Sequence, residues 1–424
     1  MIQEFSVQNF LSFKDKQTIS FTATSDKTLS DELIFEPKSG VKLLKMIVIY
    51  GANASGKSNL LQAIQSLWMI IFSPFDKEDE KIGLFQPFEL TKNEPTQYHI
   101  IFWVNGKKYE YELIHNGTSI LYEKMKYTSD GGVLSEMYVR NFGEPIQFGS
   151  TLKMKAKQRD DFNKDTLHNH TVLSTLNKKN INAPLVMKEL YDWIKNNVHE
   201  LNVHQDSEKI AEQAESNPEI KSLILELLNK ADFNISDFNL VDFKIPKDIR
   251  NKIQDDNELS EAIKERLLKP QKQIVFLHET ESEKFQISFG MESSGTQTYF
   301  RLARLLYDLK KGENILMEDE LEDSLHYDLL LHYLQTYLQA SCNSQLIFAT
   351  HNQLLLDENW MIRRDMVWFV EKERSTSKSI LYRASDMGIH KNLSLLNAYR
   401  IGKLGAKPLL GSTFLNSGKY EAEN

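Results

Sequence analysis

Apolar and polar positions change rhythm several times along the chain, and each change predicts a different element. Ile2, Phe5 and Val7 lead into Asn9-Phe10-Leu11-Ser12-Phe13, and residues 18–22 alternate with period two, so residues 2–24 read as strands. A polar loop is expected over about 25–39. Residues 46–50 form an unbroken apolar run of strand length, and an apolar helical pattern follows it. The end of that pattern, 67–75, is too short to span a bilayer and reads as a buried helix end. A charged loop over 76–81 leads into alternating runs at 98–104, 108–114, 119–127 and 133–141. They are punctuated by Asn105-Gly106, Asn116-Gly117 and Asp130-Gly131-Gly132. Asn-Gly between alternating runs is a strong hairpin signal, so 82–150 is predicted as an antiparallel β meander.

The rhythm then becomes helical. Residues 151–270 are expected to be mainly helical, with amphipathic helices at 184–198 and 218–231 and a weaker one at 258–268. No heptad pattern is sustained, which excludes a long coiled-coil arm. From residue 273, strands predicted at 273–278, 285–289, 314–317, 345–349, 366–370 and 380–383 alternate with helices at 295–310 and 325–339. That alternation predicts a parallel sheet and places the chain in the α/β class. The implied divisions are 1–150, 151–270, 271–398 and a tail, 399–424. In the tail Arg400, Lys403 and Lys407 stand among glycines, either as a contact for a partner or DNA or as a structural turn.

Composition narrows the picture. The 424 residues are 41% hydrophobic and 26% charged, which suits a globular protein with ample core. A net charge of −8 gives no global field favouring nucleic acid, so any such contact needs a local patch. The basic run at 153–159 is either a solvated helix face or such a patch. A single cysteine, Cys342, excludes a disulfide framework and a cysteine zinc site, and fits a reducing cytoplasm. With no signal-peptide pattern and no 18-residue apolar window, a cytoplasmic location without a membrane span is expected.

The chemistry concentrates at 46–61. The apolar run passes into Gly51-Ala52-Asn53-Ala54-Ser55-Gly56-Lys57-Ser58-Asn59 and then into a helix, which is G-x-x-x-x-G-K-[ST] between a strand and a helix. Gly51 and Gly56 let the backbone curl so that its N–H groups face phosphate oxygens, and the helix start adds its dipole. Lys57 is placed for the β/γ-phosphates and Ser58 for Mg²⁺, so ATP and Mg²⁺ are the expected ligands. A second apolar strand ends in Glu318-Asp319-Glu320. Its carboxylates gather where ligands bind in open α/β sheets. Glu318 stands where an apolar residue is expected, so the working pair is either Asp319/Glu320, which is favoured, or Glu318/Asp319. Asp319 would hold the metal and Glu320 would polarise water. His351 ends the next apolar strand, within reach of a γ-phosphate. Ser293, Ser294, Gly295, Thr296 and Gln297 open a long helix about twenty residues before the acids, a small and polar helix start able to face an anion. Gln86, at the entry to the meander, is a weaker candidate for the metal and its water.

Together these residues resemble the ABC-type ATPase heads of the SMC/RecF/OLD kind. Gly51–Ser58 is like the Walker A, with Asn59 typical of that branch, and Ser293–Gln297 is similar to the signature motif, with Thr296 replacing a glycine. Asp319/Glu320 resemble the Walker B acids, Asp323 to His326 the D-loop, and His351 the switch histidine. Asn9-Phe10-Leu11-Ser12-Phe13 is similar to the opening strand of such heads. Within the branch, the stretches at 292–297, 319–326 and 399–408 resemble compact prokaryotic ATPases of anti-phage abortive-infection, OLD-like, retron and Septu-like systems. The resemblance implies a P-loop ABC-type ATPase head, interrupted by the meander and the helical insert. It implies a homodimer or higher homo-oligomer in which Ser293–Gln297 acts on the partner's nucleotide, ATP hydrolysis with Glu320 and His351 catalytic, and an effector in trans such as a toprim or HNH nuclease. DNA is a further implied partner. A RecF/SMC-like DNA-repair ATPase and an ATP-dependent scaffold are the competing functions.

Overall fold

The computed structural model describes residues 1–72, 74–83, 85–178, 181–201, 206–243, 246–256, 259–268, 271–340, 343–390 and 393–408. Cys342 and the tail beyond 408 lie outside them. Chain order is β1 (Ile2–Gln8), β2 (Gln17–Ser20), α1 (Ser30–Leu33), β3 (Ile34–Lys38), β4 (Val41–Leu44), β5 (Met46–Tyr50) and α2 (Lys57–Phe72). Then come β6 (Thr96–Val104), β7 (Lys107–His115), β8 (Ile120–Thr128), β9 (Leu134–Asn141) and β10 (Gln147–Phe148). The middle holds α3 (Ala156–Asp165), α4 (Thr175–Lys178), α5 (Leu185–Asn197), α6 (Ser207–Ser216), α7 (Pro218–Lys230), β11 (Ile235–Phe243), α8 (Lys247–Asp255) and α9 (Glu261–Leu268). The remainder is β12 (Gln271–Glu279), β13 (Lys284–Ser288), α10 (Ser294–Lys310), β14 (Ile315–Glu318), α11 (Tyr327–Ala340), β15 (Gln345–Ala349), β16 (Val367–Lys372), β17 (Ser379–Arg383) and α12 (Leu395–Arg400).

A five-stranded sheet, β14-β15-β5-β16-β17, carries the candidate chemistry. Its first four strands run parallel and β17 is antiparallel. Every residue of β5, β14 and β15 is buried, as expected for strands covered on both faces. The apolar stripe of α2, with Leu60, Leu61, Ile64, Leu67, Trp68 and Ile71, supplies part of that cover. The end of this helix is buried, as its composition predicts.

The meander forms as expected, and β1 and β2 join it in a seven-stranded antiparallel sheet, β10-β9-β8-β7-β6-β1-β2. Asn105 and Gly106 both take positive φ (49° and 74°), the two-residue turn that matches strand twist. Tyr98, Ile100, Phe102, Tyr111 and Leu113 face inward. Side chains stitch the two sheets together, Gln17 Oε1 accepting from Leu381 N at 2.8 Å and Gln345 making three bonds. Gln345 Oε1 accepts from Ile2 N at 2.7 Å, and Gln345 Nε2 donates to the carbonyls of Ile2 (2.9 Å) and Leu44 (3.1 Å).

Several expectations need correction. Residues 9–13 are not strand. The chain turns there, with Asn9 and Leu11 at φ 54° and 48°. The predicted loop at 25–39 contains α1 and β3, because Leu33, Ile34 and Phe35 bury against the core. The insert includes a strand, β11, besides its helices, and β12 and β13 pair with it in a separate antiparallel sheet rather than joining the parallel one. An edge-to-face cluster of Phe238, Phe276, Phe289 and Phe300, with centroids 5.1–6.2 Å apart in the contacting pairs, fastens that small sheet to α10. Helix α6 was unforeseen. Asp206 caps it, accepting from Lys209 N at 3.0 Å. The basic residues Lys153, Lys155, Lys157 and Arg159 are all exposed, on and before α3.

Candidate nucleotide site

Strand β5 delivers the chain into the loop at Gly51, and α2 begins at Lys57. Both glycines are required by contact, and Gly56 by conformation as well. A Cβ on Gly51 would strike the Val370 carbonyl and the Ser55 side chain. Gly56 sits at φ +114°, and a Cβ there would lie 2.6 Å from Ser379 Oγ and 2.7 Å from Ser12 Oγ. Ser12 and Ser379 therefore close on the loop from outside. Asn59 Nδ2 donates to Ser12 Oγ at 2.8 Å, Ser379 N donates to the Ser12 carbonyl at 2.8 Å, and Ser379 Oγ donates to the Ser55 carbonyl. The stretch at 9–13 thus meets the phosphate loop as a turn rather than as a strand.

Lys57 is buried. Its Nζ donates to the carbonyls of Gly51 (3.0 Å) and Ala52 (3.4 Å) and lies 3.1 Å from His351 Nε2. An ammonium can only donate, so in this contact Nε2 is the acceptor. Burial lowers the Lys57 pKa, and the charges of Asp319, Glu320 and Glu322 oppose that shift. A cavity of about 280 Å³ opens over Ala54, Ser55, Gly56, Lys57, Ser58, Asn59 and Lys372. Its curled backbone and partly desolvated lysine fit a polyphosphate.

Glu318 is the last residue of β14, pairs with Phe348 in register and is 1% exposed. Asp319 is the first residue beyond the strand. Glu318 thus belongs to the strand, its charge helping to raise the pKa of buried Tyr333 behind desolvation. Glu320 holds left-handed backbone (φ 56°), a conformation an L residue keeps only when its surroundings enforce it. Its Oε1 lies 3.5 Å from His351 Nε2. Lys57, Glu320 and His351 therefore converge across β5, β14 and β15.

Glu322, unforeseen from sequence, holds this arrangement. Its Oε1 accepts from Thr350 Oγ1 (2.6 Å), His351 N (2.7 Å) and Asn352 N (3.2 Å). The only sequence signal was its place in the acidic run 318–323.

Ser293 caps α10, its Oγ accepting from Thr296 N at 3.0 Å, and Gln297 Nε2 donates to the Glu292 carbonyl at 3.0 Å. A Cβ on Gly295 would lie 3.1 Å from the Ser324 carbonyl, so the start of α10 rests on the loop after β14. None of Ser293, Ser294, Gly295, Thr296 or Gln297 lines the cavity over the phosphate loop. Gln86 is exposed, and its backbone carbonyl accepts from Leu11 N at 2.7 Å. Its side chain lines neither that cavity nor the larger one beside it.

Residues 46–357 match the family described as "AAA domain, putative AbiEii toxin, Type IV TA system". The chain belongs to this family. The AAA-domain match opens on the first residue of β5 and takes in the phosphate loop, the start of α10, the acids after β14 and His351. Ser12 and Ser379, which complete the loop's packing, lie outside it. No curated protein matches the chain. Solved structures similar to this AAA-domain protein include the SMC head domain from Thermotoga maritima (14% identity, TM-score 0.39, covering 90% of this chain and 98% of that one). A second is an Smc head bound to the C-terminal winged-helix domain of ScpA (13%, 0.41, 94% and 99%). A third is an Smc head with an extended coiled coil bound to the C-terminal domain of ScpA, derived from Pyrococcus furiosus (12%, 0.40, 96% and 99%). Among the described residues no helix is long and apolar enough to cross a membrane.

Proposed function

We propose that the protein binds and hydrolyses ATP, that ATP joins two copies head to tail, and that this switch controls a separate effector in anti-phage defence. The supporting observation is the convergence of Lys57, Glu320 and His351 beside the phosphate loop, while Ser293–Gln297 stays outside the cavity.

In this reading the loop N–H groups and Lys57 hold the β/γ-phosphates, with the lysine leaving the Gly51 and Ala52 carbonyls to do so. Ser58 and the half-buried Asp319 would hold Mg²⁺, which neutralises charge on the phosphates. Glu320 orients and deprotonates the attacking water, and His351, no longer accepting from Lys57 once the lysine turns to the phosphates, reads the γ-phosphate by donating a ring N–H. Ser293–Gln297 of one copy caps the nucleotide of the other through the N-terminus of α10. Contact between Gly295 and the loop at Ser324 ties that cap to the chain's own acids. Loss of γ-phosphate then loosens both halves, an assembly switch of the kind nucleotide hydrolysis commonly drives.

The family's description names a toxin and a type IV toxin–antitoxin system, which supports the defence setting. The effector is a nuclease or toxin in trans, with DNA as a trigger or further ligand. The test is Glu320→Gln with ATP and Mg²⁺, followed by light scattering and phosphate release. A stable dimer with turnover lost supports the proposal. A monomer in ATP, or normal turnover, overturns it.

A further inference from the structure

We propose that the β16–β17 hairpin is a wall of the nucleotide site. Lys372 supplies a second cation on the α/β-phosphate side, and Ser375, Thr376 and Ser377 border the nucleoside. This rests on the phosphate loop holding a nucleotide.

Sheet order carries the direction. Strand β5 lies between β15 and β16. Glu320 and His351 follow β14 and β15, so the terminal phosphate points to that side. Lys372, the last residue of β16, stands on the opposite side and lines the same cavity as Ala54–Asn59. Among the described residues no carboxylate pairs with it.

A second cavity, about 630 Å³, shares Asn59 and Lys372 with the first. Leu11, Pro87 and Leu90 give it an apolar side and Ser375, Thr376 and Ser377 a polar one. A flat base with hydrogen-bonding edges matches a cavity of that mixed lining.

The hairpin is built rather than loose. Ser377 N donates to the Glu373 carbonyl and Glu373 N to the Lys378 carbonyl, both at 2.8 Å. Lys378 Nζ donates to Asp15 Oδ2 at 2.8 Å, and Ser379 bonds both Ser12 and the phosphate loop. The wall is thus fixed to the loop it faces, which lowers the ordering cost of binding.

Lys372 meets phosphates that ATP and ADP share, so it contributes uniform binding and no transition-state selectivity. The experiment measures ATP, ADP and tripolyphosphate affinity by calorimetry, with turnover followed over a range of ATP up to saturation. Lys372→Ala should weaken ATP and ADP alike by about tenfold, with the loss in turnover carried by KM far more than by kcat, and Lys372→Arg should restore affinity. Ser375→Trp, which fills the second cavity, should weaken ATP and ADP while sparing tripolyphosphate. Unchanged ADP affinity in Lys372→Ala, or a kcat loss at unchanged affinity, overturns the proposal while wild-type binding upholds the phosphate-loop reading. Wild-type protein that binds neither nucleotide overturns both.

Discussion

Removing the Glu322 carboxylate should slow ATP turnover about a hundredfold while leaving nucleotide affinity nearly intact. The magnitude follows from its bonds. Oε1 takes two short ones, from Thr350 Oγ1 at 2.6 Å and His351 N at 2.7 Å, and a longer one from Asn352 N at 3.2 Å. Thr350 is fully buried, so its hydroxyl finds no ready substitute in water. A bond to a charged acceptor contributes about 1.5 kcal/mol at the lower end of its range, so the two short bonds together hold the 350–352 segment by about 3 kcal/mol. At about 1.4 kcal/mol per decade that is two decades, if all of it falls on the orientation of His351. Lys57 keeps its bonds to the Gly51 and Ala52 carbonyls and the loop glycines are unmoved, so binding should persist. Coupled-assay turnover at saturating ATP, with equilibrium binding of a fluorescent ATP analogue, separates the two effects. Glu322→Ala should lose kcat only, and Glu322→Gln, which keeps an acceptor oxygen, should recover much of it. Wild-type turnover in Glu322→Ala, beside a slow His351→Ala, would refute the reasoning.

Gly56→Ala forces a Cβ into Ser12 and Ser379 at φ +114° and should abolish nucleotide binding by calorimetry, with a stability loss of about 1–3 kcal/mol. Ser379→Ala should weaken binding more mildly, because it removes one prop of the loop while keeping its backbone bond to Ser12. His115 is buried against Tyr98, neither ring nitrogen has a partner among the described residues, and burial lowers its pKa to about 4. The unfolded ring titrates near 6.5, so the stability contributed by the neutral ring is complete above that value and is lost as pH falls through 4. At pH 5 the loss is about 2 kcal/mol, and the drop in urea midpoint from pH 7.5 to 5 should shrink in His115→Phe.

How far the chain could be read from its residues depended on whether local chemistry dictated local structure. β5 and β15 lie where their apolar runs end, and α2 begins at the lysine its motif specifies. Asn105-Gly106 formed the turn it encodes. Elements that exist only through tertiary contact were lost. β11, with Asp237 and Asp242 interrupting its apolar residues, is a strand because β12 lies beside it. β12 carries the run Ile274–Leu277, as apolar as the parallel strands, and its pairing with β11 sets it apart, whereas β13 alternates polar and apolar residues and stays part-exposed. At the site, Lys57, Glu320 and His351 could be nominated by motif. Glu322, Ser379 and Lys372 act through geometry across 28 to 324 residues of sequence, which no local pattern reports.

The bond between Gln345 and Ile2 has a consequence in time. Strand β5 is made early, yet both of its sheet neighbours, β15 and β16, are made after residue 344. At ribosomal rates of about 5–20 residues per second, the phosphate loop waits roughly 15–60 s for its supporting strands. Until Gln345 closes on Ile2 and Leu44, and Ser379 on Ser12, the motif that is translated first has no walls. A nascent chain therefore carries the phosphate-loop sequence without the contacts that brace it, and the loop is complete only in a chain made past residue 379.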